Sequence, residues 1–160
     1  AGGEIQKNPN GLEAILAKEI SLSEEGINHP MYNGKNKIFD SFCWHYDDTK
    51  FLPEKTKVLA SNQKSKIQSI SFVNKESKIW AVQYHPEFNA LWMAGLMQQR
   101  KEILLKEGIY KNKEEYDLYK NFFSKINDKN NNLNISENII NNNLHTLELV
   151  NWINFIKDSN

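Results

Sequence analysis

Up to residue 86 the apolar positions fall in short runs broken by turn residues, and from Phe88 onward they recur every three to four positions. The first part reads as strands and turns. Asn8-Pro9-Asn10-Gly11 and Tyr32-Asn33-Gly34-Lys35 are turn clusters, and Pro53 marks a loop. Lys18 to Leu22, Lys37 to His45, Val58 to Ser61, Ile67 to Phe72 and Ile79 to Tyr84 are the predicted strands. Asn74-Lys75-Glu76-Ser77 suits a hairpin between the last two. Ser23-Glu24-Glu25-Gly26 fits a single helical turn or tight loop.

The second part reads as helices. Leu91, Ala94, Leu96, Ile103 and Leu104 predict one helix running to about Lys106 and closed by Gly108. Glu114 to Ile126 is a second, with Tyr116, Leu118, Tyr119, Phe122 and Phe123 on its apolar stripe. Asp128 to Asn143 is rich in Asn and reads as linker, or as loops and caps, with a short helix starting at Ser136-Glu137. Leu144 to Lys157 places Leu149, Trp152, Ile153 and Ile156 on one face, which is expected to pack against something. The segment is short and not basic, which disfavours a calmodulin-like or membrane role. His145 is expected to be a solvated helix residue. No internal repeat is visible.

Composition narrows the class. The 160 residues suit one ordinary domain or part of a larger one. Hydrophobic residues make up 39%, enough for a core, and charged residues 25%. Twenty Lys and Arg balance twenty Asp and Glu, so no electrostatic reason exists to expect nucleic acid or an anionic membrane as partner. No apolar run is long enough to span a bilayer, and Ala1 to Asn10 lack the charged and apolar regions of a signal peptide. The single cysteine, Cys43, allows neither an intrachain disulfide nor a CxxC-type metal cluster, and a reducing, cytoplasmic setting is the plain reading. The chain opens without Met. Ala1-Gly2-Gly3 reads like the end of a helix with Gly at its C-cap, so truncation is expected, with an expression scar as the alternative.

The stretch that carries chemistry is Trp80-Ala81-Val82-Gln83-Tyr84-His85-Pro86-Glu87-Phe88. A strand is expected to end at His85, because Pro86 removes a donor and biases His85 away from helical geometry. Two titratable groups then stand two residues apart. A carboxylate beside an imidazole accepts one ring N–H, selects the tautomer and favours the imidazolium. The other nitrogen is left to take a proton from a thiol, which is the base and orienter of a Cys-His-Glu triad. His29-Pro30 is an internal control: it has no acid after it and sits in a loop.

Val82-Gln83-Tyr84-His85-Pro86-Glu87-Phe88 resembles the C-terminal signature of class I glutamine amidotransferases. Other pieces agree in order. Ala1-Gly2-Gly3 is similar to the Gly-Gly that closes the helix behind the family's nucleophile elbow. His29 to Gly34 is similar to the family's loop before the next strand. Trp44-His45-Tyr46-Asp47, with Leu52-Pro53 after it, resembles the His-Gly-Asp stretch and its Leu-Pro. Val58 to Ser61 and Ile67 to Ile70 resemble the two strands that lead to the signature. The resemblance covers residues 1 to about 90. Tyr46 and Ala81 stand where many members have Gly. The Gly-x-Cys-x-Gly elbow, which the family places about three helical turns before the position of Ala1, is absent from this sequence.

The resemblance implies an α/β, flavodoxin-like fold, N-terminally incomplete, with residues 1–90 as the C-terminal part of the amidotransferase domain and 91–160 as a helical extension. It implies hydrolysis of the glutamine side-chain amide, with His85 as base then acid, Glu87 as its orienter, and no metal or organic cofactor. The ammonia would pass to an acceptor, for instance on a separate synthetase protein. Trp44, His45, Tyr46 and Asp47 become substrate-binding candidates, because this loop's backbone helps hold glutamine in the family. A γ-glutamyl hydrolase with the same triad, and a non-catalytic truncated binding module, are the alternatives. Cys43 is a poor substitute nucleophile: its side chain shares a strand face with His45 but lies roughly 7 Å from it, within an apolar run. The extension is not needed for the triad chemistry itself. Its Glu148-Leu149-Val150-Asn151-Trp152 resembles a pattern in stand-alone relatives, and solvation and capping account for Glu148 and Asn151 more simply than a partner surface does.

Overall fold

The computed structural model describes residues 2–125, 133 and 135–158. Ala1, the Ile126 end of the second predicted helix and much of the Asn-rich stretch lie outside them. In chain order the elements are β1 (Glu4–Lys7), β2 (Glu13–Leu22), α1 (Glu24–Ile27), a 3-10 turn (Pro30–Tyr32), β3 (Ile38–His45), β4 (Asp47–Phe51), β5 (Lys57–Ser61), β6 (Ser69–Asn74) and β7 (Ser77–Val82). The helices α2 (Ala90–Gln99), α3 (Lys101–Lys106), α4 (Lys113–Ser124), α5 (Glu137–Ile140), α6 (Asn142–His145) and α7 (Leu147–Asp158) follow.

Five strands form one antiparallel sheet in the order β3-β2-β5-β6-β7, and β1 pairs with β4 beside it. Successive residues of β3 point to opposite faces. Phe42 and Trp44 therefore join Met93, Met97, Leu104, Tyr116, Phe123 and Ile139 in a core under the helices. Phe39 and Cys43 join Ile20, Met31, Tyr32, Leu59 and Tyr84 in a second core on the other face. Helices and strands thus share their apolar interior, and Gly26 makes close packing possible at one corner: a Cβ there would fall on the Leu59 carbonyl.

The sheet is curled. β3 and β7 are its two edges, yet the segment after β7 reaches β3: the His85 N–H donates to the Phe42 carbonyl at 2.7 Å. The Gln83 side-chain amide likewise donates to the Asp47 carbonyl at 2.9 Å. Strand twist accumulated across five strands makes this approach possible.

Four expectations need correction. β2 starts at Glu13 rather than near Lys18, because Glu13 to Ala17 is buried on both faces and shows no polar alternation. The last strand ends at Val82, not His85; Ser69 is its final ladder partner, after which the chain leaves β6 and crosses to β3. The first helix is interrupted at Arg100, which leaves helical geometry at φ −113°, ψ 18° and caps α2 by donating to the Leu96 carbonyl. Gly108, at φ +69°, closes α3 as predicted. Finally, the apolar face of α7 is not packed: Leu149, Trp152, Ile153 and Ile156 are 38–47% exposed. The helix docks by its other side, where Glu148 is buried, Asn151 donates to the carbonyls of Met31 and Asn33 at 3.0 and 2.9 Å, and Phe155 meets Trp80 at 4.8 Å. Among the described residues no helix is long and apolar enough to cross a membrane.

Candidate functional site

Residues 83 to 88 alternate in direction as the chain leaves β7. Gln83 is tied to its neighbours through the Gln68 carbonyl and the Asp47 carbonyl. Tyr84 points inward and is fully buried. His85 points outward, with its side chain 32% exposed and that of Glu87 52%. Pro86 cannot donate, so the turn carries no ladder bond between them.

The His85 Nδ1 lies 2.7 Å from Glu87 Oε1. Its ring stacks on Phe88 with centroids 4.0 Å apart and planes 6° from parallel, and Phe88 stacks in turn on Trp92 at 3.9 Å. The imidazole is thus fixed in plane by an aromatic face and in rotation by a carboxylate. Among the described residues no hydrogen bond reaches its Nε2. A ring held at Nδ1 by an acceptor and open at Nε2 is arranged to accept a proton at Nε2.

The stretch Trp44 to Asp47 lies beside this turn. Trp44 and Tyr46 pack against the core under the helices, and Asp47 is exposed at the start of β4. His45 is engaged internally. Glu13 is its cross-strand partner, and His45 Nε2 sits 2.8 Å from Glu13 Oε2 while Nδ1 faces the Asp47 carbonyl at 3.0 Å. Glu13 also accepts from Asn62 at 2.6 Å and Gln68 at 2.7 Å. With both ring nitrogens occupied, His45 holds the loop rather than offering a side chain to a ligand. Cys43 is buried, and burial raises its thiol well above the ordinary range, with Glu13 adding to the effect. It is an inert core thiol. Among the described residues no three His, Cys, Asp or Glu gather as a metal site.

Two residues beneath the turn, and a third on α7, have environments that the sequence reading did not give. His145, expected in solvent, is 1% exposed and meets the Phe42 ring edge-on at 5.1 Å. The main chain of Phe88 and of His85 faces its ring, yet neither nitrogen makes a hydrogen bond of good geometry. Burial, helped by the Lys35 charge, lowers its pKa from 6.5 to about 4. Glu148, expected to be a solvated or capping residue, pairs with Lys35 at 2.9 Å, the two side chains 3% and 0% exposed. Its second oxygen accepts from the Tyr84 hydroxyl at 2.8 Å. Burial alone pulls Lys35 below its ordinary value, and Glu148 opposes that. Asn151 likewise caps loop carbonyls rather than its own helix. The Glu148-to-Asn151 spacing was a visible signal, since both fall on the face opposite the apolar stripe; nothing local marks His145.

Residues 2–93 match the family model for class I glutamine amidotransferases. A gamma-glutamyl-L-1-hydroxyisopropylamide hydrolase from a Pseudomonas species is 32% identical over 113 residues, 69% of this chain and 38% of that protein. A component of the glutamine-hydrolysing GMP synthase from Methanococcus maripaludis is 33% identical over 86 residues, 54% of this chain and 42% of that one. A solved glutamine amidotransferase from Thermotoga maritima shares the fold with a TM-score of 0.54 at 19% identity, over 77% of this chain and 52% of its own. The chain therefore spans less than half the length of these two curated relatives.

Proposed function

Because the chain belongs to the class I glutamine amidotransferase family, we propose that His85 and Glu87 are the base and orienter of a Cys-His-Glu triad that hydrolyses the side-chain amide of glutamine. The fold is the family's flavodoxin-like α/β fold. The observation that carries the reading is the 2.7 Å contact between His85 Nδ1 and Glu87, with no hydrogen bond from the described residues at Nε2. Cys43 is the single cysteine of the sequence and is buried, so the attacking sulfur is supplied by residues outside these 160.

The chemistry follows from that placement. Nε2 takes the thiol proton, and the thiolate attacks the amide carbonyl to give a tetrahedral oxyanion. Glu87 steadies the imidazolium that results. Collapse of the intermediate breaks the C–N bond, the imidazolium returns its proton to the departing nitrogen, and ammonia leaves with a glutamyl thioester behind. His85 then deprotonates a water that attacks the thioester, and the sulfur leaves as thiol with glutamate released. No cofactor enters these steps. With its own ring occupied, His45 supports the Trp44–Asp47 loop, whose main chain is left to meet the substrate. Residues 1–90 carry the dyad and 91–160 form the extension. A cytoplasmic setting suits the buried free thiol, and a synthetase partner is the natural acceptor for the ammonia, given the likeness to the Methanococcus GMP synthase component.

A second reading, hydrolysis of a substituted γ-glutamyl amide, is favoured by the Pseudomonas relative. Both cleave the same bond and differ in the amine released. The test is to express the reading frame that contains these residues and measure amine release from glutamine and from N-alkyl γ-glutamylamides. Ammonia from glutamine, abolished by His85→Ala and absent from residues 1–160 alone, is the expected result. A preference for substituted amides selects the second reading. No release from either, or release indifferent to His85→Ala, removes the triad and leaves a non-catalytic binding module.

A further inference from the structure

The turn that carries the dyad does not stand on the sheet alone. Its floor comes from the last helices, sixty residues further along the chain. Tyr84, immediately before His85, is anchored by its hydroxyl to Glu148 Oε1 at 2.8 Å, and shares a second contact with the Tyr32 hydroxyl at 2.9 Å. The Tyr32 hydroxyl lies 2.6 Å from that of Ser69. Glu148 cannot swing away, because its other oxygen holds the Lys35 ammonium at 2.9 Å, and that ammonium also reaches the Leu144 carbonyl at 2.8 Å. The chain is buried from Ser69 to Lys35, so each group is locked by the cost of leaving it unpaired. His145 lies under the other end of the turn, its ring edge-on to that of Phe42 at 5.1 Å, and the Phe42 carbonyl accepts the His85 N–H.

We propose that Glu148 and His145 are positioning residues for His85, Glu148 acting through the Tyr84 hydroxyl and His145 through Phe42, whose ring it packs against and whose carbonyl holds the His85 N–H. The inference rests on the reading of His85 as the proton-transfer group. A dyad two residues apart across a proline has few backbone bonds of its own, and the His85 N–H to Phe42 is the main one. Rotation of the peptide planes at 84 and 88 would swing the imidazole off Glu87. A buried phenol pinned on one side and a buried imidazole filling the space on the other remove that freedom. The extension then belongs to the site, although Glu87 and Phe88, which contact the His85 ring, both lie before it.

The test uses the whole 160-residue chain labelled with ¹⁵N in its four histidines and reads the His85 Nδ1–H resonance, which exists as a sharp, slowly exchanging signal only while Glu87 holds it. Glu87→Ala defines the signal by removing its acceptor. The expected result is loss or broadening of the same signal in Tyr84→Phe and in His145→Phe, with the fold intact by circular dichroism. Asn151→Ala, which loosens the same helix without reaching residues 84 to 88, is expected to lower the melting temperature and keep the signal. Should Tyr84→Phe fail to fold, Glu148→Gln, which keeps the side-chain shape, carries that arm. A retained signal in a folded Tyr84→Phe or His145→Phe chain overturns the inference, as does its loss in Asn151→Ala. If Glu87→Ala leaves the His85 signal unchanged, the dyad reading itself has failed, which separates the two failures.

Discussion

Glu148 and Tyr84 are 64 positions apart in sequence and 2.8 Å apart in space, one oxygen of the carboxylate on the phenol and the other on Lys35. This ion pair is dry. Removing one partner leaves the other charged in a site closed to water, so Glu148→Ala or Lys35→Ala is expected to cost about 3–5 kcal/mol. Replacing both together, Lys35→Met with Glu148→Leu, is expected to cost clearly less than the sum of the singles, because no bare charge remains. Urea midpoints at constant m-value measure all three.

His145 makes stability depend on mild acid. Its folded pKa is lowered from 6.5 to about 4, first by burial and then by Lys35, with the neighbouring carbonyls and Glu87 opposing. Between those values the unfolded chain holds a proton that the folded chain refuses. The stabilisation is therefore complete above the unfolded value and is lost as pH falls through the window, by up to about 3 kcal/mol. Melting temperatures taken from pH 7.5 to 4 should fall less steeply for His145→Phe. A parallel slope in both proteins would contradict this assignment.

Cys43 should behave as a small apolar residue. Thiol reagents are expected to leave the native chain untouched and to react at once in denaturant, since burial holds the thiol in its protonated form. Cys43→Ala is expected to cost about 1 kcal/mol by analogy with other small core truncations, and Cys43→Ser more, because a hydroxyl is left in an apolar pocket. Reaction of the folded chain on the timescale of the unfolded one would show the strand opening far more readily than its packing implies.

The outer face of α7 offers an opposite expectation. Trp152→Ser and Ile153→Ser remove exposed apolar surface and should change stability by no more than about 0.5 kcal/mol, whereas Phe155→Ala, which loses its contact with Trp80, should cost more. Thermal denaturation of the three variants decides the point.

How much of this was legible beforehand depends on distance along the chain. The contact between His85 and Glu87 is local: one residue on each side of a proline, a spacing that leads directly to the 2.7 Å approach seen in the structure. The strands β3, β5, β6 and β7 were readable because each has turn residues at its ends. The first half of β2 was not, since burial on both faces erases the alternation that marks a strand. The orientation of α7 was misread for a related reason. Periodicity identifies the most apolar stripe, and here that stripe faces out while a polar stripe of Glu148 and Asn151 faces in, satisfied by Lys35 and by loop carbonyls more than a hundred positions away. A buried ion pair leaves no periodic trace. His145 was placed in solvent on the same logic, and only the fold brings Phe42 and the 85–88 turn over it.

The bond from the His85 amide to the Phe42 carbonyl joins the two free borders of the sheet. A seam of that kind couples the His85–Glu87 contact to closure: whatever pries the rim apart, whether heat, denaturant or a wedge-like substitution beside Phe42, is expected to free the imidazole before the rest of the molecule has melted. Loss of the His85–Glu87 contact on warming should then precede loss of secondary structure, and the proton exchange of that single amide would serve as its earliest gauge.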